Sequence, residues 1–135
     1  MIHTVEIKTR SKTELVDITS EVEAVIKSTG CKSGAAILYV PHTTAAITIN
    51  ENNDPSVAAD IGSALSRLIP AGNQYSHTEG NADAHIKAAI IGSSKTVFFE
   101  NAKIVFGSWQ GIFFCEFDGP RTRKVFIKTI EDRQP

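Results

Sequence analysis

The stretch VFFENAKIVFGSWQGIFFCEFDGPRTRKVFIKTI, residues 97–130, decides the fold class. Within it Val97 to Phe99, Ile104 to Phe106, Ile112 to Phe117 and Val125 to Ile130 are rich in β-branched and aromatic residues, which suit a pleated, packed surface. Asn101, Gly107, Gly111 and Gly119-Pro120 separate these runs with turn chemistry, so they read as four strands of a meander-like tail. Upstream, Val5 and Ile7 alternate with Glu6 and Lys8, and Leu15 to Ile18 reads as a second short strand. Ala35 to Val40 is a continuous apolar run ended by Pro41, the pattern of a strand buried on both faces, and Ala46 to Ile49 follows with alternation.

Three helices interrupt this β pattern. Ser20 and Glu23 form a capping box ahead of Val22, Val25 and Ile26, with Gly30 as the stop. Asp54 before Pro55 starts a second helix, because Asp caps free N–H groups where Pro lacks a donor, and Val57, Ile61, Leu65 and Leu68 follow at helical spacing. A third starts near Asn81 or Asp83 and stops at Gly92. Seven or eight strands with three helices predict an α+β fold of largely antiparallel sheets, the helices on one side or end. No repeat or linker divides residues 1–135, which are expected to form one domain.

At 135 residues the chain can bury roughly two-thirds of the surface its unfolded form exposes, so it needs no disulfide or metal to fold. A formal net charge of -1, from 14 basic and 15 acidic side chains, supplies no field for gathering nucleic acid, and no basic run makes up for it. No segment approaches the ~18 apolar residues of a membrane span, and the start has no signal-peptide pattern. Cys31 and Cys115 lie far apart in no ligand-like spacing. The expectation is a cytoplasmic protein with reduced thiols, beginning at Met1, with a single disulfide as the alternative.

Chemistry has few residues to draw on. Of four histidines, His3 lies at an end, His42 follows the buried strand beside Thr43 and Thr44, His77 lies in a polar loop, and His85 opens the third helix. Three neutral imidazoles, His42, His77 and His85, match the ligand count of a catalytic zinc centre with an open position. Hydrogen-bonded or solvated histidines are the alternative. Glu51, Asp54, Glu79 and Asp83 lie near in sequence and are able to orient imidazoles or move protons, although Asp54 has a competing role as helix cap. Trp109, between Gly107 and Gly111, offers an indole platform in a tight turn and Gln110 an amide able to read a polar ring edge; a hairpin loop closing the core is the alternative. Arg121 and Arg123, two apart on the last strand and so on one face, are able to clamp a phosphate or carboxylate, unless they are ordinary solvated arginines.

Three blocks resemble those of the YjbQ family. The first is His42-Thr43-Thr44-Ala45-Ala46-Ile47-Thr48-Ile49-Asn50-Glu51-Asn52-Asn53-Asp54-Pro55, the second His77 with Glu79 to Lys87, and the third Gly107-Ser108-Trp109-Gln110-Gly111-Ile112, where Thr is more usual than Ser108. The likeness covers essentially the whole chain. It implies an α+β fold assembling as a homotrimer, with a pocket near a subunit interface. His42, His77 and His85 match the family's histidines, and Glu51, Asp54, Trp109 and Gln110 its other recurring positions.

The activity implied is that of a secondary thiamine-phosphate synthase, joining hydroxymethylpyrimidine diphosphate to thiazole phosphate with release of diphosphate. Such a site has to screen the leaving charge and shelter a cationic carbon. Trp109 is the candidate aromatic face, Gln110 its neighbour, and Arg121 and Arg123 the candidate phosphate clamp, while Glu51 or Glu79 is the candidate proton carrier if a metal-bound hydroxide attacks an ester instead. A divalent metal, Zn²⁺ or Mg²⁺, is the one cofactor suggested; no nucleotide cofactor is evident. Imidazoles suit Zn²⁺ and diphosphate suits Mg²⁺, so the histidines act either as ligands or as hydrogen-bond donors to phosphate. Two alternatives stand beside the synthase: a metal-dependent hydrolase of a small ester or phosphoester, and a non-catalytic trimer binding a small anionic ligand. The expected partners are a small phosphorylated substrate and copies of the same chain, with neither nucleic acid nor membrane.

Overall fold

The computed structural model describes residues 1–133. Its elements in chain order are β1 (His3–Lys8), β2 (Glu14–Asp17), α1 (Thr19–Ser28), β3 (Gly34–Tyr39), β4 (Ala45–Glu51), α2 (Pro55–Leu68), α3 (Ala82–Ile91), β5 (Ser94–Glu100), β6 (Lys103–Ile104), β7 (Gln110–Glu116) and β8 (Thr122–Glu131). The strands form a five-stranded sheet in the order β1-β8-β3-β5-β6 and a three-stranded sheet in the order β2-β7-β4. Every pairing is antiparallel. The α+β class expected from the sequence is the one found.

Strand alternation builds the layers. Ile7, Leu38, Val97, Phe99, Val125 and Ile127 face inward from the large sheet, meet Ile47, Ile112 and Phe114 of the small one, and enclose Val22 and Ile26 of α1. The opposite parity of the small sheet, Ala46, Cys115 and Phe117, packs under Ala84 and Ala88 of α3 and Leu65 of α2. α2 stands off this surface: none of its residues is buried, and Leu68 is 77% exposed. Both cysteines are free, and burial pushes the Cys115 thiol up to about 12, too high for a reactive thiolate near neutral pH.

The details correct the sequence reading in four places. The tail is not a meander: β5 and β6 form a hairpin in the large sheet, β7 crosses to the small one, and β8 returns between β1 and β3. β3 is covered on one face only, since Ala36 and Leu38 are buried while Ile37 and Tyr39 are exposed. The capping box does not form; Asp17 Oδ1 instead accepts from the Thr19 amide at 2.9 Å, and Ser20 turns to Glu21. In the 107–111 loop, the left-handed backbone falls on Trp109 (φ 65°), not on a glycine. Gly111 answers a close approach instead, because a Cβ there would lie 2.2 Å from the Asn52 amide. The Asp54 cap forms as expected, accepting from Ser56 N at 2.9 Å.

Gly34 gives the register a direct test. A Cβ at this position would sit 2.0 Å from the Ile130 carbonyl oxygen on β8, a backbone atom that cannot swing aside. Gly34→Ala is expected to cost about 1–3 kcal/mol, as other insertions into tight packing do, read as a lower urea midpoint with unchanged slope.

Candidate functional site

The chain crosses from the large sheet to the small one between Tyr39 and Ala45, and His42 lies on this strap. Pairing of β3 with β8 ends at Tyr39 and Phe126, so the Lys124 amide lies just beyond the last rung. His42 takes it: the Lys124 N–H donates to His42 Nε2 at 2.9 Å. A backbone N–H only donates, so Nε2 is the bare nitrogen and the proton of the neutral ring sits on Nδ1. Burial lowers the His42 pKa below its ordinary 6.5; the Arg123 guanidinium adds to this, Glu116 opposes it, and Lys124 and Arg121 push it down further.

α3 brings the second imidazole. Val40 N donates to Ser93 O and Ile47 N to Gly92 O, which seats both ends of the strap against the C-terminal end of α3. His42 and His85 thereby line one concavity of about 280 Å³ with Thr43, Ala45, Ala88, Ala89, Gly92 and Ser93. His77 meets His85 edge to face, ring centroids 5.2 Å apart, and its Nε2 lies 3.8 Å from the exposed Glu79 carboxylate. The three imidazoles predicted to converge thus form a chain, His42 to His85 across the concavity and His85 to His77 in contact.

They do not form a metal cage. Among the described residues no three His, Cys, Asp or Glu side chains are grouped to hold an ion, and His42 Nε2 is already occupied. The imidazoles in this arrangement do not fit the three-ligand zinc centre that their number suggests.

The indole is not beside them. Gln110 pairs with Glu51 at one end of β4, whereas His42 precedes the other end. Seven residues of strand put Glu51, Trp109 and Gln110 about 20 Å from the histidines within one protomer. There Trp109 is 64% exposed, its carbonyl accepts from Asn52 N, and Gln110 Oε1 accepts from Gly107 N.

Glu51 and Asp54 open instead onto a larger cleft of about 840 Å³ between α2 and the small sheet, with Leu15 and Phe113 among its lining. Its carboxylates serve local backbone. Glu14 Oε2 accepts from Arg10 N and Ser11 N, Asp17 from Thr19 N, Glu51 from Asp54 N, and Asp54 from Ser56 N. Glu51, which has no obvious structural use in the sequence, therefore has one. The smaller concavity carries the titratable rings, and it is the better candidate on chemistry despite its size.

The arginines part company. Arg121 precedes β8 and is exposed, donating from Nε to Asp118 O at 2.7 Å. Arg123 is 5% exposed and points between the sheets, donating from Nε to Glu116 Oε1 and from Nη2 to Glu116 Oε2 and Thr44 Oγ1. They share no face, and the buried one is committed inside the protein. Asp83 is likewise internal, accepting from Lys87 at 3.0 Å and Lys12 at 3.4 Å. Burial works to raise its pKa, but these two lysines hold it below the ordinary carboxylate range.

Sequence reasoning missed Glu116 and its ring of partners. Thr9 Oγ1 donates to Glu116 Oε1 at 2.7 Å and Asp118 N to Oε2 at 3.0 Å, while Asp118 Oδ2 accepts from Asn81 Nδ2 at the start of α3. The signal was present as the one charge inside the apolar run IFFCEF, a position that buries a carboxylate only if it is paired.

Comparison with known proteins agrees in family and shape. The family profile described as UPF0047 protein YjbQ-like matches residues 3–132. A UPF0047 protein of Methanocaldococcus jannaschii is 51% identical over 98% of this chain and 96% of its own length. The UPF0047 protein YugU of Bacillus subtilis is 50% identical over 96% and 99%. The crystal structure of an uncharacterized conserved YjbQ/UPF0047 protein from Clostridium acetobutylicum superposes with a TM-score of 0.92 at 48% identity, covering 95% of this chain and 99% of that one.

The lowered His42 pKa sets a pH dependence. Between pH 6.5 and the folded-state value, the unfolded chain takes up a proton that the folded chain refuses. The stability that neutral His42 contributes is therefore complete above pH 6.5 and lost as pH falls through the lowered value. Glu116 stays ionised over the range in which His42 begins to titrate: burial works to raise its pKa, but the hydrogen bonds from Arg123, Asp118 N and Thr9 outweigh that and hold it below its ordinary 4.5. Urea midpoints are expected to fall between pH 7.5 and 5.5, and His42→Gln to flatten that slope.

Proposed function

We propose, from the premise that this chain belongs to the UPF0047 protein YjbQ-like family, that the histidine concavity takes the phosphate end of a small phosphorylated substrate. We read the protein as a transferase resembling thiamine-phosphate synthase. One observation carries the reading: the bond from Lys124 N leaves His42 a neutral ring whose Nδ1–H is the group it has to offer. A neutral N–H donor suits a phosphate oxygen better than a metal ion. His85 on the same concavity and His77 against it supply further imidazole nitrogens, with the Glu79 carboxylate behind His77.

In the synthase reaction the thiazole nitrogen forms the new bond to the methylene carbon of hydroxymethylpyrimidine diphosphate. The carbon–oxygen bond breaks, and its electron pair leaves with diphosphate. Imidazole N–H groups directed at the leaving oxygens stabilise that developing charge. Trp109, Gln110 and Glu51 lie too far along β4 to share this site within one protomer, so any part they take in the chemistry calls for a second copy.

The large sheet supports such a copy. Ala35 on β3 is in register with Phe98 on β5 and Ile130 on β8, and Val105 N bonds to Phe98 O. The outer face thus carries a continuous apolar row in which Phe98 is 66%, Val105 53% and Ile130 52% exposed, with Ile37 and Tyr39 beside it. We take this face as the contact of the homotrimer. Phe98→Asp is expected to yield monomers by sedimentation equilibrium while the circular dichroism spectrum stays unchanged; a trimer that persists would assign the contact elsewhere.

The chemical reading is tested on tag-free protein by calorimetric titration with inorganic diphosphate and by synthase assay. His42→Ala and His85→Ala are expected to weaken diphosphate binding and to slow synthesis by about 10²–10³-fold, the range for removing one hydrogen-bond donor to a developing negative charge. Full binding and turnover in both variants would defeat the assignment. Wild-type binding without turnover would leave an anion-binding module, and a retained transition metal with phosphoester cleavage would favour the hydrolase.

A further inference from the structure

We propose that the buried Glu116–Arg123 pair is the positioning device of the histidine site, holding the strap so that His42 keeps one tautomer and one orientation. The purpose given to it rests on the anion-site reading above; the geometry stands on its own.

Two consecutive residues of β8 hold the strap at two points. The Arg123 side chain reaches Thr44 Oγ1 at 2.8 Å, and the Lys124 backbone reaches His42 Nε2 at 2.9 Å. The His42 ring cannot turn over without giving up the second bond, and the strap cannot shift without giving up the first. Arg123 is itself held, because its planar fork engages both oxygens of Glu116, a geometry that lysine does not reproduce. Glu116 has its remaining lone pairs filled by Thr9 Oγ1 and Asp118 N. Asp118 carries the same chain of bonds to Asn81 Nδ2, ahead of the helix that bears His85. The network therefore spans both walls of the concavity.

Stability alone does not explain such a pair. Removing two charges from water costs about what their attraction returns, and apolar side chains of similar volume often serve as well. Geometry is what an apolar pair would not supply. Neither Arg123 nor Glu116 touches the concavity, so both act through His42 and Thr44. The charged groups facing His42 are Arg121, Arg123 and Lys124 from the β8 side and Glu116 from β7, with His85 across the concavity.

The test is long-range proton–nitrogen correlation on histidine-labelled protein, which reads tautomer and titration for each ring. Wild type is expected to show His42 as Nδ1–H alone at pH 7.5. The double variant Glu116→Gln/Arg123→Met removes both charges together; once shown to be folded by its amide spectrum, it is expected to show a mixture of tautomers at His42. Its titration midpoint should move up towards 6.5, and its affinity for inorganic diphosphate should fall about tenfold or more, as loosened positioning does. An unaltered His42 tautomer and midpoint in the folded double variant would overturn the proposal. Should that variant fail to fold, Thr44→Val keeps the ion pair, removes its side-chain hold on the strap and leaves only the longer 3.5 Å contact of Arg123 Nη2 with the Thr44 carbonyl, and is judged by the same readings. If wild type shows the fixed tautomer and the variants release it, yet no form binds diphosphate, the positioning role stands and the anion-site reading falls.

Discussion

The Glu116–Arg123 contact joins the two sheets at one end. Glu116 shares strand parity with Ile112 and Phe114 on β7, and Arg123 with Val125 and Ile127 on β8, so both project into the space between the layers where the apolar contacts stop. Burying each large apolar side chain of that core contributes about 1.5–3 kcal/mol, whereas a buried ion pair contributes close to nothing net. The core therefore sets how stable the molecule is, and the ion pair sets how the sheet ends meet. Every connection that crosses there, Thr9 after β1, the strap before β4 and the turn after β7, is tied to one of its atoms.

That constraint explains where the titratable chemistry sits. Where β3 ends, β8 presents an amide with no next rung to bond. His42 supplies an acceptor for that N–H from the strap. One bond thus closes the end of the β3–β8 ladder and fixes which ring nitrogen carries the proton. The other end of β4 has no counterpart. Its loop displays Trp109 in a left-handed backbone conformation that an aromatic residue rarely adopts, held by the Asn52 amide and by the missing side chain at Gly111. The indole of this loop is left 64% exposed, so its strained backbone is not offset by packing of the ring in the core.

Local chemistry in the sequence was enough for the elements. Asp54-Pro55, Gly92 and the alternation of β1 mark structure because each acts on backbone within a few residues. Long-range facts were not legible in the same way. The order β1-β8-β3 depends on a strand from the end of the chain inserting between two from its start, and nothing in residues 122–131 names its neighbours. Ala35 to Val40 reads as two-sided because apolar content does not say which face the chain covers; only the Ala36 and Leu38 face is buried, while Ile37 and Tyr39 are exposed. The three histidines were visible by type, and two meet in one concavity. Nothing in the sequence measures the distance from them to the indole, and a seven-residue strand is enough to separate the two.

Arg123 shows the same limit from the side of charge. Two arginines spaced by two on a strand suggest a clamp, yet β8 begins at Thr122, so Arg121 belongs to the turn and only Arg123 obeys the strand's parity. That parity turns it inward, and an inward guanidinium survives only with a carboxylate opposite. The carboxylate was already on view as the odd charge of IFFCEF. Each half is implausible alone, a glutamate in a core strand and an arginine aimed at it, and each makes the other permissible. Buried charges match as pairs across the sequence, so Arg123 and Glu116 take up each other and leave the imidazoles as the groups free to act.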